Sequence, residues 1–598
     1  MTTAPIKFGT DGWRAIIAED YTFANVRVCA QAVAEYLKES GLAARGLIVG
    51  YDTRFESEDF AAAVAEVVAA NGVKVYLCTR AAPTPVISYG TLAHKAGGAV
   101  IITASHNQGR YNGFKIKSPA GSSAPETTTA AVEKNVARIL AQGGVKRIPL
   151  AKGVQDGSIE RVDLAPVYFE QVRRLVDINA LKQAHLKIVV DPMHGAGAGY
   201  LKETLGGGAL ELAEIDGDRN PIFPGMERPE PIATNLTRLS AAVRRRKAAV
   251  GVATDGDADR FGVIDENGRF MTTLEVMALL ALYLLEVRGQ RGAIVRTITS
   301  SAMLDRLGDL YNVPVHQTPV GFKYVAPLME SENAIIGGEE SGGYGFRGHV
   351  LERDGILASL YFLDSMVRTG KTPSQLLQCL FSKVGPHYFD RVDIEFPAAE
   401  RETIIGRMKK ANPSSIAGVG VERIDTRDGF HFILADKSWL LVRFSGTEPL
   451  LRTYAEAGSP ERVAEMLEAG RAMAGVEPMP ERNLPRRTEK PWGYELLWAH
   501  ADVYVGKLIF VKKGHRLSLQ YHRQKDETLY VHEGRAVFEV TGADGKTVKH
   551  DAAPGFRIHF APYTRHRIAA VEDTVLFEVS TTELDDVVRV EDDYGRRD

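Results

Sequence analysis

Cysteine is scarce in this chain: three among 598 residues, Cys29, Cys78 and Cys379, an odd number set far apart. A disulfide framework is thereby excluded and a reducing compartment expected. An excess of one charge is also missing, since 73 Lys and Arg meet 76 Asp and Glu for a net charge of -3. Without a basic footprint, nucleic acid is not an expected partner. Long apolar runs are missing too. The strongest, Met277 to Leu285, lies between Glu275 and Glu286 and falls short of the ~20 residues that span a bilayer. No basic-then-apolar leader opens the chain, because the Gly-rich turn FGTDGWR (8–14) arrives almost at once. A cytoplasmic protein with no membrane partner is the expectation. Hydrophobic residues at 44% exclude a long disordered chain, and this length requires several domains.

What is present is a repeat. Apolar strand candidates open three stretches, GLIVGYDTR (46–54), KIVVDPMHGAG (187–197) and GAIVRTITSS (292–301). Each is followed by a helical stretch and a second strand candidate, VKVYLCT (73–79), LELAEID (210–216) or VPVHQTP (313–319). A third strand then ends in a polar loop: AVIITASHN (99–107), AAVGVATDGDADR (248–260) or AIIGGEESGG (334–343). Strands alternating with helices predict α/β units, whose functional loops sit beyond the carboxyl ends of the strands. TASHN, DGDADR and GEESGG therefore fall at equivalent edges of three similar domains with mixed sheets.

From about residue 386 the pattern changes to an α+β unit, with strand candidates DRVDIEF (390–396), HFILAD (431–436) and WLLVRFSG (439–446). Its closing helix starts at SPERVAEML (459–467), with Ser459 as cap and Pro460 in the first turn. VEPMPERNLPRRTEK (476–490) is rich in proline and charge and predicts a linker. Short alternating strands follow, with an Asp544-Gly545 turn, and predict a small β barrel or sandwich. The expected division is 1–145, 160–268 and 269–384 for the α/β domains and 385–478 for the fourth. A linker is placed at 479–488 and an all-β domain at 489–598.

In DGDADR, Asp255, Asp257 and Asp259 alternate, so an extended segment would turn all three carboxylates to one side, suited to a hard divalent cation. An EF-hand is excluded because Arg260 stands where the tight turn needs Gly. Ser105 and His106 lie just past a buried strand in the equivalent loop. A serine carrying a phosphoryl group, roughly -1.5 to -2 in charge, beside such a cation suits the pair. Glu339 and Ser341 lie between glycines and fit sugar hydroxyls. In RFSGTEP (443–449), Arg443 joins two hydroxyls and a Gly turn, a pattern fit for phosphate.

FGTDGWR, TASHN, DGDADR, GEESGG and RFSGTEP, in that order, resemble the α-D-phosphohexomutase superfamily, the phosphoglucomutases and phosphomannomutases, over roughly residues 5 to 478. The resemblance implies a four-domain, heart-shaped enzyme with Ser105 as phosphoserine. Mg²⁺ would sit on Ser105, Asp255, Asp257 and Asp259. Glu339 and Ser341 would contact sugar, and Arg443, Ser445, Gly446 and Thr447 phosphate. Gly321, Arg353 and Arg452 complete the implied substrate contacts, and Arg14 and Lys115 (in YNGFKIK) match further active-site positions. A hexose 1,6-bisphosphate is the implied intermediate and activator. Three departures stand out: Phe322 in TPVGFK and Gly343 after GEESG, where some members have His, and Arg353 in HVLERDG, where Lys is usual. Lys115 and His349 are left as candidates for the general acid and base.

Seven of the 15 histidines lie beyond residue 489. Gly514, Gln520-x-His522, Glu527 and Gly534, followed by His566 in PYTRH, have the spacing of the cupin superfamily, with Gln in place of a first His. KPWGYE (490–495), LSLQYH (517–522) and VRVEDDYGR (588–596) narrow the resemblance to type II mannose-6-phosphate isomerases over residues 489–598. It implies Zn²⁺ or a similar divalent ion on Gln520, His522, Glu527 and His566, in an all-β barrel. Arg516, Arg523 and Lys525 are candidates to hold a phosphate. The expected whole is a bifunctional enzyme of fructose 6-phosphate, mannose and glucose phosphates. The alternative is a phosphoglucomutase with a non-catalytic, sugar-phosphate-binding cupin. A homodimer is compatible with the resemblance, although no sequence feature selects the oligomeric state.

Overall fold

The computed structural model describes residues 6–9, 11–444, 450–476, 486–501, 503–542, 545–584 and 586–595. The chain divides into two compact units, each described by itself. One comprises residues 1–392, 412–443 and 452–470; the other comprises 393–411, 444–451 and 471–598.

Three sheets of the first unit share one plan. The first contains β1 (Trp13–Ile16), β2 (Leu47–Tyr51), β3 (Val75–Cys78), β4 (Ala99–Ile102), β5 (Tyr111–Lys117) and β6 (Ile159–Val162). The second contains β7 (Lys187–Asp191), β8 (Glu211–Glu214), β9 (Val250–Thr254), β10 (Phe261–Ile264) and β11 (Phe270–Met271). The third contains β12 (Ile294–Thr297), β13 (Val315–Thr318), β14 (Ile336–Gly338) and β15 (Tyr344–Phe346). Their cores run β5-β4-β2-β3, β10-β9-β7-β8 and β15-β14-β12-β13. In each, the first strand lies between the second and third, parallel to both. A fourth strand then returns antiparallel to the third. The runs are apolar because both faces are covered: β2 and β9 are buried along nearly their whole length. Each polar loop thus links a central parallel strand to the returning one, a stronger equivalence than parallel units alone predict. The first sheet also reaches past the expected boundary at 145, since β6 pairs with β3.

Local signals start the helices. Thr272 and Glu275 form a capping box before Thr273–Leu282, and Thr372 and Gln375 form another before Pro373–Val384. The Ser459 hydroxyl accepts from the Arg462 N–H at the start of Pro460–Ala474. The fourth sheet runs Ser415–Ile416, Val419–Asp425, Phe430–Leu434, Trp439–Phe444, Leu450–Ala457 and Tyr388–Glu395 in spatial order.

The C-terminal domain is all-β, but its strands do not close into the expected barrel. A six-stranded sheet runs from Arg486–Lys490 through Gly493–His500, Val505–Val511, Thr574–Ser580 and Glu527–Glu533 to Arg557–Phe560. A five-stranded sheet runs from Thr547–Ala552 through Ala536–Thr541, Arg565–Ala570 and Leu519–Tyr521 to Val588–Glu591. Ile509, Val511, Leu529 and Leu576 of the first meet Phe538, Ala552 and Ile568 of the second in one core. Face-to-face burial, with no strand pairing between the sheets among the described residues, satisfies the alternating pattern without closure. The linker expected at 479–488 lies largely outside the described residues, as does Asp544; a strand already begins at Arg486. Among the described residues no helix is long and apolar enough to cross a membrane.

Within the first unit, Glu456 joins the fourth sheet to the third domain. Its carboxylate accepts from the Ser301 hydroxyl (3.0 Å) and the Ala302 N–H (3.2 Å), just before the helix Met303–Tyr311. Burial pushes this carboxyl from 4.5 up to about 7. Across that window the native state holds the extra proton, so stability is lost as pH rises. Glu456→Gln should therefore gain in unfolding midpoint relative to the wild type from pH 4.5 to above pH 7. Scanning calorimetry of both proteins across this range checks the sign.

Candidate active site

The TASHN loop leaves β4 and turns back into β5. Ser105 sits at its apex in the left-handed region, φ 52°, a conformation uncommon for a residue with a Cβ. Its N–H donates to the Thr103 hydroxyl (2.9 Å) and its own hydroxyl donates to Asp255 Oδ2 (3.1 Å). The DGDADR loop, between β9 and β10, folds around Asp255, whose Oδ1 accepts the Asp259 and Arg260 N–H groups (3.0 and 3.1 Å). Asp255, Asp257 and Asp259 are wholly buried, and each offers a carboxylate oxygen within 4.8 Å of the others. Asp257 Oδ1 and Asp259 Oδ1 accept no hydrogen bond. Clustered hard oxygen donors with open lone pairs fit a small divalent cation. Burial and the neighbouring carboxylates Asp257 and Asp259 push Asp255 well above its ordinary range, so ionisation of the full trio calls for added positive charge.

Cations converge on the trio from all three repeats. Lys115, on β5, places Nζ 2.7 Å from Asp11 Oδ2, 2.8 Å from Asp257 Oδ2 and 3.7 Å from Asp259 Oδ2. Burial works against its charge, but Asp11, Asp257 and Asp259 together hold its pKa above the usual lysine value. Arg353 places Nη2 2.7 Å from Asp259 Oδ2 and 2.9 Å from Asp11 Oδ2, and Nη1 3.3 Å from Glu339 Oε2. Arg260 pairs with Glu230. Arg14 Nη1 donates to Asn107 Oδ1 (2.7 Å) on the serine loop. Burial and the neighbouring Arg260 keep His106 neutral, with Nδ1 3.3 Å from the Ser105 hydroxyl.

Ser105, Arg14, Lys115, the three aspartates, Glu339 and Arg353 thus share one cleft. The sugar-loop candidate Ser341 is half-buried, and its neighbour Gly342 ties that loop to the metal loop by accepting the Phe261 N–H (2.9 Å). Gly321, at φ 130°, begins the helix Phe322–Ser331. Arg443 Nε donates to Asp428 Oδ1 (2.9 Å), and Asp428 Oδ2 accepts from the Val320 N–H (2.9 Å). Arg452 lies on the strand Leu450–Ala457; Ser445, Gly446 and Thr447 fall outside the described residues. His349 donates to Asp354 Oδ2 (2.9 Å) and packs against Tyr89 and Tyr168, with Nδ1 buried and without a hydrogen-bond partner. Asp354 in turn caps Gly355–Thr369 and accepts from Tyr168.

Sequence reasoning passed over Asp11, which binds both Lys115 and Arg353, and the buried pair Lys117–Glu352 (2.5 Å). It also missed Thr84, whose hydroxyl donates to Asp257 Oδ2 (2.6 Å). Lys117 follows Lys115 by two on one strand, a period-two signal that could have flagged it. Thr84 and Glu352 carry no local signal.

In the C-terminal domain, His522, Glu527 and His566 come together. The Nδ1 of His522 donates to the Asp586 carbonyl and that of His566 to the Thr564 carbonyl (2.9 Å). This leaves both Nε2 atoms facing Glu527 Oε1, at 3.3 and 3.2 Å. Such tautomer-fixing carbonyls are the usual outer support of a histidine metal ligand. Gln520 lies opposite His566 in the sheet register, with its Oε1 accepting from Ser518 (2.7 Å). Lys525 is buried between Glu527 Oε2 (2.5 Å) and Glu578 Oε1 (2.7 Å), whereas Arg516 pairs with Asp593 at the surface and Arg523 is exposed.

The aspartate trio predicts one cation site in the first unit. Asp257→Asn should lower Mn²⁺ affinity at least about tenfold, measured by isothermal titration with His566→Ala as background to silence the second cluster. Equal affinity would remove Asp257 from the ligand set.

The sequence matches family models for phosphoglucomutase/phosphomannomutase: α/β/α domain I over residues 5–142, domain II over 166–268, domain III over 274–384 and the C-terminal domain over 400–472. A phosphoglucomutase/phosphomannomutase of Thermococcus kodakarensis is 34% identical over 466 residues, 77% of this chain and 97% of its own length. A phosphoglucosamine/phosphogalactosamine mutase of Sulfurisphaera tokodaii is 28% identical, covering 77% and 97%. A solved structure from Thermus thermophilus is 35% identical, with a TM-score of 0.68 over 79% of this chain and 100% of that one. With all four domain types matched in order and nearly the full length of a 34%-identical relative covered, the chain belongs to the phosphoglucomutase/phosphomannomutase family of α-D-phosphohexomutases.

Proposed function

We propose that the first four domains interconvert hexose 6-phosphates and hexose 1-phosphates through a phosphoserine at Ser105. The carrying observation is the Ser105 hydroxyl 3.1 Å from Asp255 in a buried three-carboxylate loop. Phosphoserine would give its phosphoryl group to a free sugar hydroxyl: the P–O bond to Ser105 breaks, a P–O bond to the sugar oxygen forms, and the hydroxyl proton ends on the Ser105 oxygen. The resulting hexose 1,6-bisphosphate turns over and returns its other phosphoryl group to Ser105; supplied from solution, the same bisphosphate serves as activator. Mg²⁺ on Asp255, Asp257 and Asp259 supplies charge neutralisation at the Ser105 oxygen when bound. Positioning and charge carry most of such a transfer. Lys115, 2.8 Å from Asp257 Oδ2, stands beside the transferring group as the candidate general acid or base. Arg353 orients Glu339 toward the sugar, and Arg443 receives the distal phosphate. Relatives are named for glucose, mannose, glucosamine and galactosamine phosphates, and mannose is favoured here because of the C-terminal domain.

The paired Nε2 atoms of His522 and His566 facing Glu527 favour a second reaction there. In this reading the C-terminal domain is a cupin holding Zn²⁺ or a similar ion on Gln520, His522, Glu527 and His566. It interconverts fructose 6-phosphate and mannose 6-phosphate, and the mutase consumes the product.

Ser105→Ala should cut mutase turnover by at least about 1,000-fold and abolish phosphate incorporation seen by intact mass, while isomerase activity persists. His566→Ala should do the reverse. Full mutase turnover in Ser105→Ala overturns the first assignment. Absence of isomerase activity in Zn²⁺-loaded wild type leaves the C-terminal domain a binding module.

A further inference from the structure

Beneath the serine loop lies a fully buried arginine that the reaction scheme does not use. Arg54 is 0% exposed. Its Nη2 donates to the carbonyls of Ser105 (2.7 Å) and Asn107 (2.5 Å), and its Nη1 to those of Gln108 (2.8 Å) and Tyr111 (3.0 Å). One guanidinium therefore holds three carbonyls of the segment that joins β4 to β5 and that of the first β5 residue. Asp52 supplies the counter-charge, with Oδ2 3.2 Å from Arg54 Nε, and Asp52 Oδ1 also accepts the Arg54 N–H (2.9 Å). No donor of the guanidinium points at a space where a phosphate would sit; its hydrogen bonds go to backbone.

The clamp is itself held from the second domain. Arg219 donates through Nε to the Thr53 carbonyl (2.9 Å) and through Nη2 to the Arg54 carbonyl (2.9 Å), while its fork grips Glu58 (2.7 and 2.6 Å). The Thr53 hydroxyl donates to the His194 carbonyl (2.8 Å). The Arg54 guanidinium lies 5.0 Å from the Phe223 ring centroid. A Cβ on Gly109 would come within 2.5 Å of the Pro221 carbonyl oxygen, so the serine loop and the 218–223 segment touch backbone to backbone.

Ser105 is in a left-handed conformation that needs outside support. Its carbonyl is turned onto Arg54, and its hydroxyl consequently faces Asp255. We propose that Arg54 is the positioning residue of the phosphoryl-carrying serine, and that Arg219 staples this clamp to the domain bearing the aspartate trio. The inference rests on Ser105 being the phosphoryl carrier. Arg54 acts through backbone, so its loss misplaces the nucleophile without altering the groups that bind sugar phosphate. Lysine cannot replace it, because a single ammonium lacks the planar fork that reaches four carbonyls.

The test uses the full-length protein with Mg²⁺, glucose 1-phosphate as substrate and glucose 1,6-bisphosphate as phosphoryl donor. Arg54→Lys should lower kcat about 100-fold, the scale of a 1 Å misplacement, with KM within about twofold of wild type. The rate of phosphoryl incorporation at Ser105, followed by intact mass, should fall in parallel. Arg219→Ala removes a side chain 45% exposed, tolerable even where Arg54→Lys does not fold, and should lower kcat about tenfold on the same axis. Arg219→Lys should recover part of it. Mn²⁺ affinity should match wild type in every variant. Wild-type kcat in Arg219→Ala, or a loss confined to KM, overturns the proposal. A wild-type protein that takes no phosphate on Ser105 overturns the carrier reading beneath it.

Discussion

Three carboxylates packed within 4.8 Å and removed from solvent set the problem that the first unit solves. Like charges in a low-dielectric interior repel strongly, and each must find a cation or give up its charge. Two protein cations reach the trio directly: Lys115 from the first repeat and Arg353 from the third. Asp11 then balances both cations from the opposite side. No single domain could neutralise the trio. The requirement therefore fixes where three sheet edges must meet, and it leaves lone pairs on Asp257 and Asp259 for a metal ion.

How much of this is written locally follows from the range of each interaction. The three loops are legible because each follows a buried apolar strand at the same place in a repeat, and period and turn chemistry act over a few residues. The returning strands β5, β10 and β15 are less so. Tyr344–Phe346 is three residues beside glycines, and its pairing with Ile336–Gly338 depends on the turn between them. Partners such as Lys117 and Glu352 stand 235 positions apart; only the approach of the first sheet to the third domain brings them together. The surroundings of His349 are likewise assembled from afar: Tyr89 and Tyr168 pack on its ring and Asp354 accepts from its Nε2, while Nδ1 has no hydrogen-bond partner. In the C-terminal domain, alternation such as buried Glu527, Leu529 and Val531 gives the strands. It does not say whether the sheet edges close, since a closed barrel and two facing sheets demand the same inward side chains.

The two clusters differ in how protein atoms prepare them. Around the aspartate trio, charge from elsewhere in the fold stands ready and the donors are all oxygen. Around His522 and His566, backbone carbonyls orient the two Nε2 atoms toward one carboxylate. Burial opposes ionisation of Glu527, but hydrogen bonds from His522 and His566 and the charge of Lys525 hold its pKa well down. Mixed nitrogen and oxygen donors suit borderline ions such as Zn²⁺, and oxygen alone suits Mg²⁺.

The three departures from the phosphohexomutase pattern meet at one place. A Cβ on Gly343 would lie 2.3 Å from Arg353 Cδ, so any larger residue there would displace the arginine. The Arg353 guanidinium lies 5.9 Å from the Phe322 ring centroid, a face on which a planar cation can rest. Glycine at 343 makes the room, phenylalanine at 322 provides the bed, and the longer, forked arginine reaches Asp11, Asp259 and Glu339 at once. A lysine at 353 would offer one point charge to three carboxylates and leave the space above Gly343 unfilled. Gly343, Phe322 and Arg353 thus form one contact group. It sets a permanent cation among three carboxylates, which fits a site whose main task is to hold charge in place.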